Sequence, residues 1–314
     1  MKNLALLYHA LQRSVLYSML LVSALTIGLI SCNDDEDEMP SGGSIDFGVP
    51  PSVIDGVRPS EASGIKINYY DDGTIRNAEV DDCTFTFNYA TTRTTFHQLN
   101  SITAERSVDG AKESWKADNF ILSNNGFIGG YRLTYSMNDS RNQWWENGEI
   151  NYRFNYRDGE RIDKIDLKAT FSNNEDGTFS GSGSYSYAYG QNGELLKITG
   201  TIPGYTVFEQ KFDYDKNLAN KYNTMLLTLT PEAVISDDAI FRILAVTGHL
   251  GNTSKKLPTK LHLSYMDPED PEENSNETLT LDYNLGGNGL IYWYSVNGKI
   301  YNCKFVDASN VEIN

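Results

Sequence analysis

From about residue 64 onward, apolar and polar residues alternate with a period of two. Tyr152, Phe154 and Tyr156 interleave with Asn151, Arg153, Asn155 and Arg157; Ile165, Leu167, Ala169 and Phe171 interleave with Lys164, Asp166, Lys168 and Thr170. The same phasing recurs in Cys83, Phe85, Phe87 and Tyr89, in Tyr185, Tyr187 and Tyr189, in Leu261, Leu263 and Tyr265, and in Leu279, Leu281, Tyr283 and Leu285. Successive side chains of a strand point to opposite faces, so this alternation predicts strands with one face buried and one wet. Half-polar strands pair antiparallel, since parallel sheets are covered on both faces. Asn-Gly or Asp-Gly pairs end at Gly56, Gly73, Gly110, Gly126, Gly148, Gly159, Gly177, Gly193, Gly289 and Gly298. Such pairs tolerate the positive φ of tight hairpin turns, so each strand is expected to pair with its sequence neighbour. A dozen or more strands exceed the roughly ten that an open twisted sheet holds without curling. The expected fold is all-β: a many-stranded antiparallel meander curled into a barrel or half-barrel.

One segment departs from this period. After Pro231, Ser236-Asp237-Asp238 reads as an N-cap with an acidic first turn, and Ile240, Phe241, Ile243, Leu244 and Val246 follow at helical spacing up to Gly248. A short helix this apolar has to be covered on most sides, which places it plugging or capping the curled sheet. A buried strand is the alternative for so short an apolar run.

The N-terminus is organised differently. Lys2 and Arg13 are the charges of the first 31 residues, and Ser14 to Ile30 carry none. Seventeen helical residues span about 26 Å, barely a bilayer core, so a retained transmembrane helix is the alternative to a secretion signal. The small Ser31 directly before Cys32 favours a signal peptide cut there, with Cys32 acylated and the protein held by its lipid on the outer membrane, exposed at the cell surface. The expected division is a lipoprotein signal peptide over 1–31, an acidic flexible tether over 32–63 that begins Asn33-Asp34-Asp35-Glu36-Asp37-Glu38, and a β-meander domain over 64–314. The chain has 26 basic and 42 acidic residues, a net charge of −16 that becomes −18 without the leader. That excess repels phosphate backbones and excludes nucleic acid as a partner.

The phrases Tyr69-Tyr70-Asp71-Asp72-Gly73, Tyr156-Arg157-Asp158-Gly159 and Gln191-Asn192-Gly193-Glu194-Leu195-Leu196-Lys197-Ile198, and the stretch from His249 to Lys260, resemble those of uncharacterised Bacteroidetes surface lipoproteins. The acidic run after Cys32 resembles their surface-export signal. That family is a domain of unknown function with a porin-like fold; the resemblance implies a curved many-stranded sheet over about 65 to 305 and no activity. A true porin needs an outward apolar belt, whereas these strands alternate with Lys, Asp and Arg.

Candidate chemistry is sparse. Beyond the leader the histidines are His97, His249 and His262, without paired ligand spacing or any Cys-x-x-Cys, so no metal and no cofactor are expected. Asp213-Tyr214-Asp215-Lys216-Asn217 begins like a calcium loop, but Leu218 stands where the sharp-turn glycine belongs and Thr224 where the bidentate glutamate would be. Gly181-Ser182-Gly183-Ser184 lacks a hydrolase elbow's spacing. Cys83 and Cys303 are in phase with the buried faces near the two ends of the meander: a disulfide if the sheet brings them together, two buried thiols otherwise. Trp144-Trp145 and Tyr292-Trp293-Tyr294 each place at least one ring outward in extended backbone. Exposed rings offer stacking surface to a ligand, while packing under a loop or the helix is the alternative. The expected function is non-catalytic binding of a glycan or other extracellular ligand at these aromatic residues. The alternatives are a carrier with a lipid or small apolar molecule in a barrel cavity, and a glycosidase with two convergent carboxylates.

Overall fold

The computed structural model describes residues 47–90, 98–108, 110–175, 177–202, 205–235, 238–266 and 274–313. Cys32, the leader, the first part of the tether and His97 lie outside them. The strands are β1 (Arg58–Ala62), β2 (Ile65–Tyr69), β3 (Ile75–Val80), β4 (Cys83–Tyr89), β5 (Leu99–Val108), β6 (Ala111–Leu122), β7 (Ile128–Asp139), β8 (Trp144–Arg157) and β9 (Arg161–Asn173). They continue with β10 (Gly177–Tyr189), β11 (Leu195–Ile202), β12 (Tyr205–Asp213), β13 (Lys260–Tyr265), β14 (Ser275–Leu285), β15 (Ile291–Val296), β16 (Lys299–Asn302), β17 (Lys304–Val306) and β18 (Glu312–Ile313). From β1 to β16 each strand pairs antiparallel with the next. The segment 299–306 then bends at Cys303: β16 pairs with β15, and β17 pairs with β1 and β18. The sheet thus curls until its ends meet, with no uninterrupted ladder across the seam.

Nine of the ten turn glycines adopt positive φ. Asp55-Gly56, Asp158-Gly159 and Asn297-Gly298 have positive φ at both residues, the two-residue hairpin geometry. At Gly73, Gly126, Gly193 and Gly289 one closure repeats: the glycine N–H donates three residues back, and the residue receiving it donates to the carbonyl just after the glycine. Gly148 is the exception to the turn expectation. It lies inside β8, opposite Tyr135 and Phe171, where an added Cβ would sit 2.7 Å from the Phe171 ring. Glycine is needed there for packing, and Gly148→Ala is expected to cost about 1–3 kcal/mol through overpacking, read as a lower urea midpoint at unchanged slope.

The folded domain begins before residue 64 and takes in part of the stretch expected to be a tether. Phe47 is 2% exposed and stacks on His249 at 4.4 Å, Ser52 Oγ donates to the Gly248 carbonyl, and β1 supplies a full strand of the sheet. The acidic composition ends before Phe47, and apolar burial then holds 47–63 in the domain.

The long connection from β12 to β13 fills the hollow. Its helices are α1 (Glu232–Ile235) and α2 (Ala239–Val246), preceded by a 3-10 turn at Leu227–Leu229. Asp238 caps α2, its carboxylate accepting from Phe241 N at 2.8 Å, and Gly248 follows at φ +82°. Ile240, Phe241, Ile243, Leu244 and Ala245 are fully buried. The inward side chains of the strands close around them through Tyr131, Tyr152 and Phe154, the Phe154 and Phe241 rings lying 6.2 Å apart. Outward positions carry pairs such as Lys66–Glu79, Lys112–Glu105 and Lys197–Glu209. A greasy interior and a charged exterior invert the pattern of a lipid-embedded porin.

Cys83 and Cys303 are separate buried thiols, which excludes the disulfide in this structure. β4 stands four ladder steps from β17, roughly 19 Å at 4.8 Å per strand, far beyond disulfide reach. Being near the two ends of the chain's meander did not make the residues neighbours.

Candidate functional site

Three buried polar groups, Asp238, His249 and Arg58, are tied into the fold by hydrogen bonds. Tyr131 donates to Asp238 at 2.9 Å, and burial pushes the Asp238 carboxyl above its usual range despite the bonds it accepts. His249 Nδ1 lies 2.8 Å from Thr247 Oγ1, and burial holds the imidazole neutral with its pKa down at about 3. Arg58 donates to the Gly73 and Asp307 carbonyls and to Asn310 Oδ1, stitching β1 to the two neighbouring turns.

Several acids face their own cations, whereas the Glu232 carboxyl is raised by burial and by the nearby Glu277. Glu113 is paired with Arg106 across β5 and β6. Asp118 binds Arg132 at 2.9 Å and Lys116 at 2.7 Å; burial works to raise its carboxyl, but these cations outweigh it and hold it low. In the calcium-like stretch, Asp213 Oδ2 meets His262 Nε2 at 2.9 Å and Asp215 meets Lys260 at 3.0 Å, so each carboxylate faces its own partner. Thr278 Oγ1 lies 3.0 Å from the other His262 nitrogen. This Thr–His–Asp line stands on the solvated face of the sheet, with His262 39% and Asp213 46% exposed. Among the described residues no group of three or more His, Cys, Asp or Glu is placed to hold a metal.

The aromatic candidates divide by strand phase. Trp145 is outward and 37% exposed, whereas Trp144 takes the inward phase opposite Asp139 and is half-buried. Trp293 and Tyr292 are half-buried on β15, Tyr292 lying across Gly286. Tyr294 is not available to a ligand: it is buried, donates to Ser63 Oγ at 2.8 Å and stacks on Tyr301 at 5.1 Å. The bend that brings β16 and β17 to the seam covers it. The two clusters are seven ladder steps apart and do not form one site.

Trp145 instead shares its face with a groove of about 370 Å³ across β6–β9. Ser114, Thr134, Ser136, Asn147, Thr170 and Ser172 line it, and the Tyr135–Gly148 pair crosses it. Asn147 and Glu149 follow Trp145 at steps of two along β8, so the ring stands at one end of a row about 13 Å long. The opposite end is charged: Lys116, Asp118, Arg132 and Glu149 form a chain of pairs. Ser114 and Ser136 hydrogen-bond each other at 2.7 Å, as do Ser172 and Thr178 at 2.9 Å, which fixes the hydroxyls while leaving each pair capacity toward solvent. Trp145 alone of these carries a signal in the sequence. The hydroxyl row follows only from register, since Ser136, Asn147 and Ser172 become neighbours through pairings across three strands.

Crystal structures of porin-like proteins from Bacteroides match parts of this chain. One from Bacteroides vulgatus shares 14% identity over 77% of this chain and 96% of that one, with a TM-score of 0.48. One from Bacteroides uniformis shares 15% over 66% of this chain and 87% of that one, with a TM-score of 0.26. No family model matches the sequence, and no curated protein matches it.

Proposed function

We propose that this chain is a lipid-anchored surface module that binds a glycan without catalysis, in the outer groove beside Trp145. The observation carrying this reading is an exposed indole at the end of a hydroxyl- and amide-lined groove, on a domain whose hollow is filled. Hydroxyls and carboxamides exchange hydrogen bonds with sugar hydroxyls, and an indole face takes the apolar side of a pyranose ring. The packed interior supports this reading over a lipid carrier, and the ion pairing of Asp118 and Glu149 at the groove's end supports it over a glycosidase acting there. The same reading places acylated Cys32 in the outer membrane, with the residues before Phe47 lifting the domain toward external ligands.

Glycan-array screening of the purified protein tests this. Trp145→Ala is expected to abolish the strongest signals while changing stability by less than about 0.5 kcal/mol, since the ring lies at the surface. Binding that survives Trp145→Ala and disappears in Trp293→Ala would move the site to β15, and an array without hits would refute the proposal.

A further inference from the structure

A second opening lies where the sheet parts at the seam. β1 and β2 pair only through Ala62–Ile65 and Glu61–Lys66. The register shift between Pro59 and Glu61 fits β1 to β17, and residues 58–60 have no ladder pairs with β2, although Tyr69 Oη donates to the Pro59 carbonyl at 2.8 Å across the parting. The result is a groove of about 550 Å³, within the range of small-ligand sites, lined by Ser60, Asn68, Tyr69, Arg76, Asn77 and Asn310.

Its hydrogen-bonding inventory is lopsided. Asn68 Nδ2 donates to Asn77 Oδ1 at 2.7 Å, which leaves both amide hydrogens of Asn77 and the Asn68 carbonyl for an occupant. Asn310 accepts from Arg58 and donates to the Tyr70 carbonyl at 3.0 Å, keeping one amide hydrogen in reserve. Arg76 is exposed, extends over the exposed Tyr70 ring at 6.0 Å and brings the fork of a guanidinium. Behind the groove, buried Arg58 lies 4.6 Å over the Tyr69 ring, and the acceptors of its hydrogen bonds are neutral oxygens. Donors therefore outnumber acceptors, and the exposed Arg76 guanidinium lines the groove, in a chain whose net charge is −16.

We infer that this parting is a second ligand site, specific for a carboxylate-bearing saccharide: Arg76 grips the carboxylate, and the Asn68–Asn77 pair and Asn310 bind ring hydroxyls. A forked guanidinium suits a carboxylate. The carboxamides and the volume exceed what a bare anion needs. β2 lies six ladder steps from β8, so this site operates whether or not the Trp145 groove binds anything.

Isothermal titration of the purified protein with oligogalacturonate, a neutral galacto-oligosaccharide and acetate tests the assignment. Oligogalacturonate should bind the parent protein and Trp145→Ala alike, and weaken at least tenfold in Arg76→Gln, whose exposed position spares the fold. Its affinity should fall as salt is raised from about 50 to 300 mM, because the pairing is solvent-exposed. Absence of oligogalacturonate binding, equal binding of the neutral oligomer, displacement by acetate at equal concentration, or an unaltered Arg76→Gln titration would each overturn it.

Discussion

Between pH 6.5 and 4.5 the domain is expected to lose about 2 kcal/mol of stability through His249, and His249→Phe is expected to remove most of that loss. Burial lowers the folded-state pKa from 6.5 to about 3. A histidine depressed in this way contributes its full stability above pH 6.5. As pH falls toward 3 the unfolded chain takes up the proton and the native ring does not, so stability drops by about 1.4 kcal/mol per unit. The Asp238 carboxyl, raised by burial, has the opposite sign: its contribution is present at low pH and is lost as pH rises through its folded value. Asp238 is retained in the variant, so its contribution cancels when the two proteins are compared. Phenylalanine keeps the stack on Phe47, and Thr247 Oγ1 retains the Ile243 carbonyl at 2.8 Å. Urea unfolding at half-unit pH steps gives both slopes; parallel slopes would mean that His249 becomes charged without leaving the fold.

The role of His249 was invisible along the chain, and the reason applies to the whole site. Period-two alternation and turn dipeptides report local geometry, and the antiparallel meander follows from them, as does the apolar helix from its capped 3.6-residue repeat. Long-range partners leave no such trace. His249 owes its environment to Phe47, which lies in a stretch that reads as tether by composition. Gly148 carries the turn signature of Asn-Gly but is claimed by the Phe171 ring opposite it on β9. Tyr294 and Trp293 have the same local credentials, and the fold of the seam buries the first and leaves the second half-exposed. The groove beside Trp145 and the parting at β1 both depend on register, the latter on one shift beside Pro59, which cannot donate to a ladder.

The plug makes the strongest energetic claim. Phe241→Ala is expected to destabilise the domain by about 3–5 kcal/mol, a large fraction of the 5–15 kcal/mol that folded domains possess. The Phe241 ring is fully buried, 6.2 Å from both Tyr152 and Phe154, while its backbone N–H anchors the Asp238 cap. Deleting it removes transfer energy and leaves a void. The surrounding β-strands are tied into ladders on both sides and cannot collapse to refill it, which puts the cost in the upper part of the range for a large-to-small change. Water offers no compensation, because an apolar cavity of this kind stays dry. The urea midpoint should fall while the slope stays constant, since the surface exposed on unfolding barely changes. A loss below about 1 kcal/mol would show that the sheet holds its curvature without the helix, and that α2 is a cover over a self-sufficient barrel wall instead of the core around which the strands close.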